Sequence, residues 1–513
     1  MAKIIEFYEY WNSISNYYFN QNDEIDKYLI NNYGSLIDDY NEGTSIIYDC
    51  LIYDQLTRHY YRREVSSHII TYFNNKTYNL ISKYKYDKEI INNLGINDWI
   101  FYMLVLRHTN RREELLYVMN ECWERLLIIK DPIPVLLKKF IRATYTRGNF
   151  NEEVELVKFE KDNDNYNNYL EILDSISPTY INFNINNNNN KIGNYSELYK
   201  YSTIIISLSG GVDSVSCLFS LRKIGKKIIA VHINYNNRKE TEEEVKFLST
   251  ICHYLDVKLY VRKIEEIKRE KANKYDLRDI YENYTKKVRY NSYKRVFEIE
   301  NDDKNQTKPL VVLGHNKDDC LENILTNMAY NNKYENLRGI ELETEIDNII
   351  FYRGLIEITK DEIYKFAINN NLPFLKNSTP EWCQRGKIRT SVVPILKKWD
   401  NRIIDGLFNM SLVMEELYKN MMRNVKEFEI RSTIKEENLN SESYIYWKNV
   451  IFNLFKFYPS NKSLRTLIER LENWKNKKKE INKKTKIIIN NRLILLLWKN
   501  KEPGMISYEF IIS

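Results

Sequence analysis

Apolar and polar residues recur along this chain with two different periods, and the change from one to the other divides the chain into regions. In the first 150 residues apolar side chains return every three or four positions, as on one face of an α-helix. This spacing is clearest in residues 4–11, 45–56 and 98–108. No proline occurs before Pro132, so none interrupts a helix there. The pattern predicts an all-helical domain over residues 1–150.

Residues 151–200 have no such period. They are polar and rich in asparagine, most of all in the run 186–190. A segment of this composition buries too little apolar surface to order itself. The sequence therefore predicts a linker over residues 151–200.

Between residues 201 and 400, short and almost continuously apolar runs alternate with stretches of helical spacing. Unbroken apolar runs are typical of parallel strands that are covered on both faces. Helices are expected from about 286 to 300, from near 316, and from Asp361, Glu362 and Ile363 onward. This alternation predicts an α/β domain with a Rossmann-like parallel sheet, and its expected strands are 204–206, 228–233, 257–261 and 310–314.

Residues 401–513 are basic and, by their spacing, mainly helical, with a strand-like run at 487–489. Lysines concentrate just before that run, at Lys477, Lys478 and Lys479. Clustered lysines bind nucleic-acid phosphates without reading the base sequence. A solvated lysine surface explains the same residues, and the spacing leaves both interpretations open.

The composition is that of a soluble globular protein with two or three domains. The 513 residues are 43% hydrophobic and 29% charged, with a net charge of +7. No apolar run of about 18 residues is present, and the first residues lack the basic-then-apolar order of a signal peptide. The six cysteines form no C-x-x-C pair, which argues against zinc ribbons and iron–sulfur clusters. We expect a cytoplasmic protein with no membrane partner.

A glycine-containing turn after the first predicted strand has the features of a phosphate-binding loop. Its two glycines let backbone N–H groups approach a phosphate, and the helix that follows adds partial positive charge. Its two serines supply further donors, and Asp213 can hold Mg²⁺ or orient phosphates. No lysine follows the glycines, so this is not the loop of ordinary P-loop NTPases. The loop consists of Ser209, Gly210, Gly211, Val212, Asp213 and Ser214.

Polar residues also follow the second predicted strand. His232 and Asn234 come at its end. Ligands of open α/β sheets bind at the carboxyl ends of the strands. These two side chains are therefore placed to meet a nucleotide.

A second informative cluster follows the strand that ends at Gly314. His315 comes next, and Asp319 and Glu322 lie three positions apart on one face of the expected helix. Two carboxylates in this position can bind an ammonium group, Mg²⁺ or both. Acidic residues at a helix N-terminus are also favoured by the helix dipole alone.

The loop and this cluster together resemble the PP-loop (N-type) ATP pyrophosphatases, which split ATP between its α and β phosphates. SGGVDS looks like the signature SGGxDS, and residues 314–322, GHNKDDCLE, look like the second motif of members that modify tRNA bases. The 2-thiolating branch usually carries C-x-x-C pairs, which this chain lacks. We therefore expect the other branch, that of the tRNA(Ile)-lysidine synthetases.

The later motifs of that branch occur here in the expected order. Its A-R-x-x-R-Y helix is matched by Val288, Arg289 and Tyr290, and its last block by residues 355–396. Within the block, residues 385–389 read RGKIR where the family has R-N-x-I-R. Departures include an asparagine at 377 in place of an acid and Trp382 with Cys383 in a usually polar loop, and at 232–234 HIN stands where a second histidine is usual.

This resemblance implies an adenine nucleotide alpha hydrolase-like fold and a ligase that uses ATP and Mg²⁺. Cytosine O2 would attack the α-phosphate, pyrophosphate would leave, and the ε-amine of lysine would then join C2 with release of AMP. The partners implied are a tRNA and free lysine. The 209–214 loop would cradle pyrophosphate, while Asp319 and Glu322 would hold the lysine ammonium. His315 would contact the α-phosphate, and Arg289 and Arg389 would clamp phosphates.

The residues expected to bind RNA lie in the last block and in the basic region. They are Arg385, Lys387, Arg389, Lys477, Lys478 and Lys479. The alternatives are a different PP-loop tRNA modification, such as 2-thiolation, and a non-catalytic RNA-binding adaptor. An adaptor predicts loss of the phosphate loop, and the loop is intact.

The first 130 residues resemble an uncharacterised bacterial family that is thought to fold like tetratricopeptide repeats. Phe7 and Trp11 stand in its FWF opening, and residues 51–58, LIYDQLTR, match its L-x-x-DQFxRN core. Its later M-H-S-E-D segment is replaced here by residues 106–110, LRHTN. Asp54 and Arg58 are four positions apart, so an internal ion pair and a functional role both fit.

Overall fold

The chain forms two compact units in the computed structural model. One is Met1–Asn316 with Leu342–Ser378, and the other is Lys317–Glu341 with Thr379–Ser513. The residues that the structure describes are 2–15, 18, 22–61, 67–129, 132–148, 153–158, 190–237, 241–329, 339–375, 384–426, 428–436, 444–476 and 481–512.

The first unit opens with a helical part, as the apolar spacing predicts. Phe7 and Trp11, both on its first helix, are buried with their rings 5.7 Å apart. Its α-helices are Ala2–Ser13, Asp23–Tyr33, Leu36–Asp39, Ile46–Asp49, Thr57–Tyr60, Ser67–Ile81, Lys88–Asn93, Ile96–His108, Arg112–Ile128 and Val135–Arg147, and a 3₁₀ turn spans Ser82–Tyr84.

One stretch of this part, Cys50–Leu56, is a π-helix, and all seven of its residues are buried. Asp54 on it accepts hydrogen bonds from Arg58 Nε at 3.1 Å and His108 Nδ1 at 2.9 Å. The Asp54–Arg58 ion pair that the sequence suggests is therefore present, and His108 ties it to another helix. Burial alone would raise the pKa of Asp54, but His108 and Arg58 lower it to about 2.

The first unit also contains a seven-stranded sheet in the order β1-β4-β3-β2-β5-β7-β6. The five inner strands are parallel, and β1 and β6 pair antiparallel at the edges. The four predicted strands are β2, β3, β4 and β5, so the expected α/β sheet is confirmed. The strands are β1 (Glu155–Val157), β2 (Thr203–Ser207), β3 (Lys227–Asn234), β4 (Lys258–Lys263), β5 (Leu310–Val312), β6 (Glu343–Ile346) and β7 (Ile349–Tyr352).

Apolar cores cover both faces of the sheet, which explains the unbroken apolar runs. On β2, Ile205 belongs to the core shared with the helical part, whereas Ile204 and Ile206 belong to the opposite one. The helices of the α/β part are Val212–Arg222, Thr241–Tyr254, Arg269–Lys274, Arg278–Glu300 and Lys360–Asn369, and a 3₁₀ turn spans Ser196–Lys200.

The helical part packs on the Arg278–Glu300 helix. The ring of Tyr145 meets that of Tyr284 edge-on at 5.1 Å, and its hydroxyl donates to the carbonyl oxygen of Glu266 at 2.6 Å. Arg142 forms an ion pair with Asp279. The helical part and the sheet thus belong to one folded unit.

Two boundaries differ from the prediction. The helix expected from about 286 begins at Arg278, because Ile280, Tyr281 and Tyr284 add buried positions before it. The expected linker 151–200 is ordered at its ends, where β1 pairs with β4 and where Leu198 is buried. Strand pairing at the sheet edge and the burial of Leu198 give these two ends a defined structure despite their polar composition. Residues 159–189 lie outside the described ranges.

The second unit is built from helices and a four-stranded antiparallel sheet in the order β8-β11-β10-β9. Helices hold most of the described residues of this unit, as predicted, whereas its sheet was not predicted. Trp447 and Tyr508 are buried between helices and sheet. The α-helices are Lys317–Ala329, Gln384–Lys387, Val393–Trp399, Arg402–Lys426, Tyr444–Phe455 and Asn461–Lys475, with a π-helix at Ile388–Val392, and the strands are β8 (Arg431–Lys435), β9 (Thr485–Asn490), β10 (Leu493–Lys499) and β11 (Met505–Ile512). Within the described part of the chain, no helix is long and apolar enough to cross a membrane.

The buried histidine makes the helical part sensitive to acid. Burial lowers the pKa of His108 to about 4. A depressed histidine pKa means that the unfolded state binds the proton more readily, so the folded state loses stability as the pH falls from about 6.5 to about 4. Protonation of His108 should therefore lower the free energy of unfolding by about 2 kcal/mol between pH 7 and pH 4.5. Hydrogen exchange in the Ile96–His108 helix would detect this loss.

The measurement is urea unfolding at both pH values, followed by hydrogen exchange of peptides from that helix. His108→Asn still donates to Asp54 but does not titrate, so it should remove this part of the pH dependence. His68, which is exposed, provides the matched control as His68→Asn. Equal pH dependence in wild type and His108→Asn would contradict the prediction.

Candidate active site

The predicted phosphate loop joins β2 to the Val212–Arg222 helix. Gly211 is the residue before the helix, and the first intrahelical bond runs from Val215 N to its carbonyl oxygen at 3.1 Å. The first N–H groups of any helix have no partner within it. The loop therefore directs donors and the positive end of a helix dipole to the carboxyl edge of the sheet.

Ser214 organises the loop. Its Oγ accepts hydrogen bonds from the backbone N–H groups of Ser209 and Gly210, each at 3.2 Å, and donates to the carbonyl oxygen of Gly211 at 3.0 Å. Two main-chain donors thus converge on one point. Val212 is 2% exposed, so its side chain packs in the core and only its backbone is available to a nucleotide.

Both the loop and the end of β5 need glycine for steric reasons. Gly210 has φ of +85°, and an added Cβ would lie 2.7 Å from Leu375 Cδ1. At Gly314 a Cβ would lie 3.0 Å from Ser214 N and 3.2 Å from the carbonyl carbon of Asp213. Such distances are shorter than normal van der Waals contacts, so a side chain at either position would push the loop apart.

Asp213 is held by two residues that the sequence analysis did not assign to the site. Asn316 Nδ2 donates to its Oδ1 at 3.0 Å, and Lys360 Nζ contacts its Oδ2 at 2.5 Å. Lys360 is the first residue of the Lys360–Asn369 helix, where the dipole disfavours a cation. That unfavourable position was the one sequence signal that Lys360 has a specific acidic partner.

The two polar residues predicted at the end of β3 contact main-chain groups, one of them just before the loop. His232 Nδ1 lies 2.8 Å from the carbonyl oxygen of Leu208 and is placed to donate to it. Asn234 is buried, and its Oδ1 accepts from Asn236 N at 2.8 Å in a turn. In this structure both side chains form hydrogen bonds with main-chain groups. Their predicted contact with a nucleotide stays a prediction.

Arg289 lies on the Arg278–Glu300 helix, and Tyr235 and Tyr293 are beside it. Tyr293, one turn further on, donates its hydroxyl to Ser207 Oγ at 2.7 Å. Burial by itself would lower the pKa of Arg289, but Tyr235 and Tyr293 beside it raise it, so the guanidinium stays charged. His315 follows β5 and is half-buried.

Asp213 is the carboxylate of the loop that a Mg²⁺ ion would use. Asp213 offers one carboxylate, and among the described residues no group of three or more His, Cys, Asp or Glu is arranged for a metal ion. Mg²⁺ in proteins commonly keeps waters and takes one or two carboxylates plus substrate phosphates. Asp213 fits that role if a nucleotide supplies the remaining oxygens.

The predicted carboxylate pair lies in the second unit, where Arg389 binds it. Arg389 Nε and Nη2 are each 2.8 Å from Glu322 Oε1, and Nη2 is 3.7 Å from Asp319 Oδ1. Glu322 is 2% exposed. Asp319 and Glu322 therefore share a face, as predicted, and they hold a cation. Arg389, expected on phosphates, supplies that cation from the Ile388–Val392 π-helix.

The other residues predicted to bind RNA are only partly described. Lys387 is exposed at the end of the Gln384–Lys387 helix. The side chain of Arg385 and the residues Lys477, Lys478 and Lys479 lie outside the described part, as do positions 376–383 of the last block. Their role in RNA binding stays a prediction.

Comparison with known proteins shows what this region is similar to. Residues 183–396 match the PP-loop domain. The tRNA(Ile)-lysidine synthase of Enterococcus faecalis is 24% identical over 217 residues, 41% of this chain and 44% of that protein. The corresponding protein of Chlamydia muridarum is 28% identical over 40% of this chain and 60% of that protein, and that of Malacoplasma penetrans is 23% identical over 57% and 97%.

The first of these relatives is matched over less than half of its own length. One solved structure, the U34-tRNA thiolase NcsA from Methanococcus maripaludis with its 4Fe-4S cluster, aligns at 16% identity over 44% of this chain and 75% of that chain, with a TM-score of 0.33, too low to bear on the fold. Six of the seven strands of the mostly parallel sheet and the SGGVDS loop lie within the matched segment and agree with a PP-loop domain. Residues 183–396 therefore match the PP-loop domain, the described part of that range has the expected α/β sheet, and this region is similar to that of the tRNA(Ile)-lysidine synthases.

Proposed function

We propose that this protein is an ATP-dependent ligase that activates O2 of a tRNA cytidine by adenylation and joins lysine to C2, releasing pyrophosphate and AMP. The observation that carries the proposal is the SGGVDS loop, with two N–H groups converging at Ser214 and Asp213 held by Lys360. The similarity to tRNA(Ile)-lysidine synthases supports tRNA as the substrate. A tRNA substrate also supports a cytoplasmic location.

The loop would bind the pyrophosphate part of ATP. The N–H groups of Ser209 and Gly210 exchange the Ser214 hydroxyl for phosphate oxygens, and Lys360 adds a positive charge where the leaving group gains negative charge. Mg²⁺, held by Asp213 and the phosphates, would neutralise further charge when bound. Arg289, which stays charged, would contact a phosphate.

The carboxylate pair would receive the ammonium group of lysine. Glu322 and Asp319 already bind one cation, the guanidinium of Arg389. A substrate ammonium and Arg389 carry the same charge, so binding lysine would release Arg389 from the pair. One carboxylate would then accept the proton that the amine must lose before it attacks C2.

The direct test incubates the purified protein with ATP, Mg²⁺, lysine and bulk tRNA, and analyses the nucleosides by mass spectrometry. We expect a lysine-sized mass gain on cytidine that requires both lysine and ATP. Asp213→Asn should abolish it, and Asp361→Asn, an exposed acid near Lys360, should not. Cleavage of ATP to AMP with a different mass gain would indicate another PP-loop modification, and no cleavage with any RNA would favour the adaptor.

A second prediction concerns Lys360. Lys360→Met removes the charge beside Asp213 and should lower the rate of pyrophosphate release by about 100-fold, the typical effect of losing one preorganised electrostatic contact. Lys365→Met on the same helix, which is exposed, is the matched control. The measurement is single-turnover release of labelled pyrophosphate; a change of less than threefold in Lys360→Met would contradict this role.

A third prediction separates the two half-reactions. Glu322→Gln still accepts a hydrogen bond from Arg389 but loses its charge, so the KM for lysine should rise by about tenfold or more. Pyrophosphate release without lysine should stay within about threefold of wild type, because that step needs no ammonium site. Glu416→Gln, at an exposed position in the second unit, is the control. An equal loss in both half-reactions would argue against lysine binding at Glu322.

A further inference from the structure

A pair of hydroxyl groups at the end of β2 has no part in the function proposed above. Tyr293, on the Arg278–Glu300 helix, is fully buried, and its hydroxyl donates to Ser207 Oγ at 2.7 Å. Ser207 is the last residue of β2 and stands just before Leu208 and the SGGVDS loop. The four earlier residues of β2 are buried, whereas Ser207 is partly exposed. Its side chain can therefore be reached from outside at the carboxyl edge of the sheet.

The helix that carries Tyr293 is fixed at the same edge by two more tyrosines. The hydroxyl of Tyr281 accepts from Asn237 Nδ2 at 2.7 Å, and that of Tyr284 donates to Glu266 Oε1 at 3.1 Å. Asn237 follows β3 and Glu266 follows β4, and the two strands lie beside β2 in the order β4-β3-β2. Because it is held at these two places, the helix presents the hydroxyl of Tyr293 in a fixed position.

The hydrogen bond leaves the proton of Ser207 available for another acceptor. A serine hydroxyl has one hydrogen and two lone pairs. Since Tyr293 supplies the hydrogen of the bond between them, Ser207 Oγ is the acceptor and its own hydrogen can point elsewhere. Among the described residues, Tyr293 is the one hydrogen-bond partner of Ser207 Oγ. A hydroxyl that accepts a hydrogen bond also becomes a better donor, because linked hydrogen bonds polarise one another.

Stability explains the bond of Tyr293 but not its choice of partner. A buried hydroxyl without a partner costs free energy, so Tyr293 gains from any acceptor. A main-chain carbonyl oxygen would be sufficient, as that of Glu266 is for Tyr145. Here the acceptor is instead a side chain that can itself donate. It lies beside the phosphate loop, at the edge where the ligands of open α/β sheets bind.

We propose that Ser207 donates a hydrogen bond to an oxygen of the bound nucleotide and that Tyr293 orients it. This inference rests on the proposed binding of ATP at the SGGVDS loop, where the N–H groups of Ser209 and Gly210 would hold the pyrophosphate part. ATP is longer than that part, so an adjoining oxygen, of the α-phosphate or of the ribose, would come within reach of Ser207. Ser207 is then a binding residue and Tyr293 a positioning residue.

The experiment titrates the full-length protein with α,β-methylene-ATP and Mg²⁺ by isothermal titration calorimetry. Ser207→Ala should lower the affinity by at least about fivefold, the usual effect of losing one hydrogen bond to a ligand. Tyr293→Phe keeps the ring and the donor but removes the orienting bond, so its loss should be smaller, about threefold. Tyr293 acts through Ser207 in this proposal, so the double variant should bind no more weakly than Ser207→Ala alone.

Tyr260→Phe is the matched control. Tyr260 is also buried, and its hydroxyl donates to Glu300 Oε1 at 2.7 Å, at the far end of the same helix. This variant should bind within about twofold of the wild type, because no shared partner links Tyr260 to Ser207. A variant that merely folds less well would show fewer binding sites per molecule at unchanged affinity, so the stoichiometry separates a structural role from a positioning role.

Inorganic triphosphate identifies the oxygen. A loss in Ser207→Ala with both inorganic triphosphate and α,β-methylene-ATP would assign the contact to a phosphate, and a loss with the nucleotide alone would assign it to the ribose. Unchanged nucleotide affinity in Ser207→Ala, additive losses in the double variant, or an equal loss in Tyr260→Phe would each overturn the inference and leave the proposed function standing. If the wild type did not bind α,β-methylene-ATP, both would be overturned.

Discussion

The site depends on how closely separate backbone segments approach one another at the carboxyl edge of the parallel sheet. Gly314 lies so close to the start of the Val212–Arg222 helix that a Cβ there would be 3.0 Å from Ser214 N, and Gly210 has a positive φ of +85°. This approach lets Asn316, which follows β5, reach Asp213. The alternating apolar strands, buried on both faces, keep those segments in register. The hydrogen bond between Asn316 and Asp213 therefore depends on the absence of a side chain at Gly314.

Each acidic group of the candidate sites holds a cation of the protein itself. Lys360 neutralises Asp213, Arg389 neutralises Glu322, and Arg58 neutralises Asp54. A buried carboxylate without such a partner would be costly or would take up a proton. These pairs offset the cost of holding a carboxylate in a place with little access to water.

The helical part is joined to the sheet of the first unit by aromatic packing. Tyr145 bridges to Tyr284 and to the backbone at Glu266, and Tyr293 on the same long helix reaches Ser207 at the end of β2. Several of the 41 tyrosines are thus used inside the core, with their hydroxyls bonded to backbone or side chains. The helices therefore stabilise the scaffold that positions the nucleotide loop.

The sequence by itself determined what depends on neighbours along the chain. The period of apolar residues showed the helical part and four of the five inner strands. The spacing in SGGVDS and in residues 314–322 showed the loop and the shared face of Asp319 and Glu322. Tertiary structure decided the partners, because they are far apart in sequence: Lys360 is 147 positions from Asp213, Arg389 is 67 from Glu322, and His108 is 54 from Asp54. The π-helix and the antiparallel sheet of the second unit escaped prediction for the same reason. Local periodicity records which face of an element is buried, but not which distant side chain will meet it there.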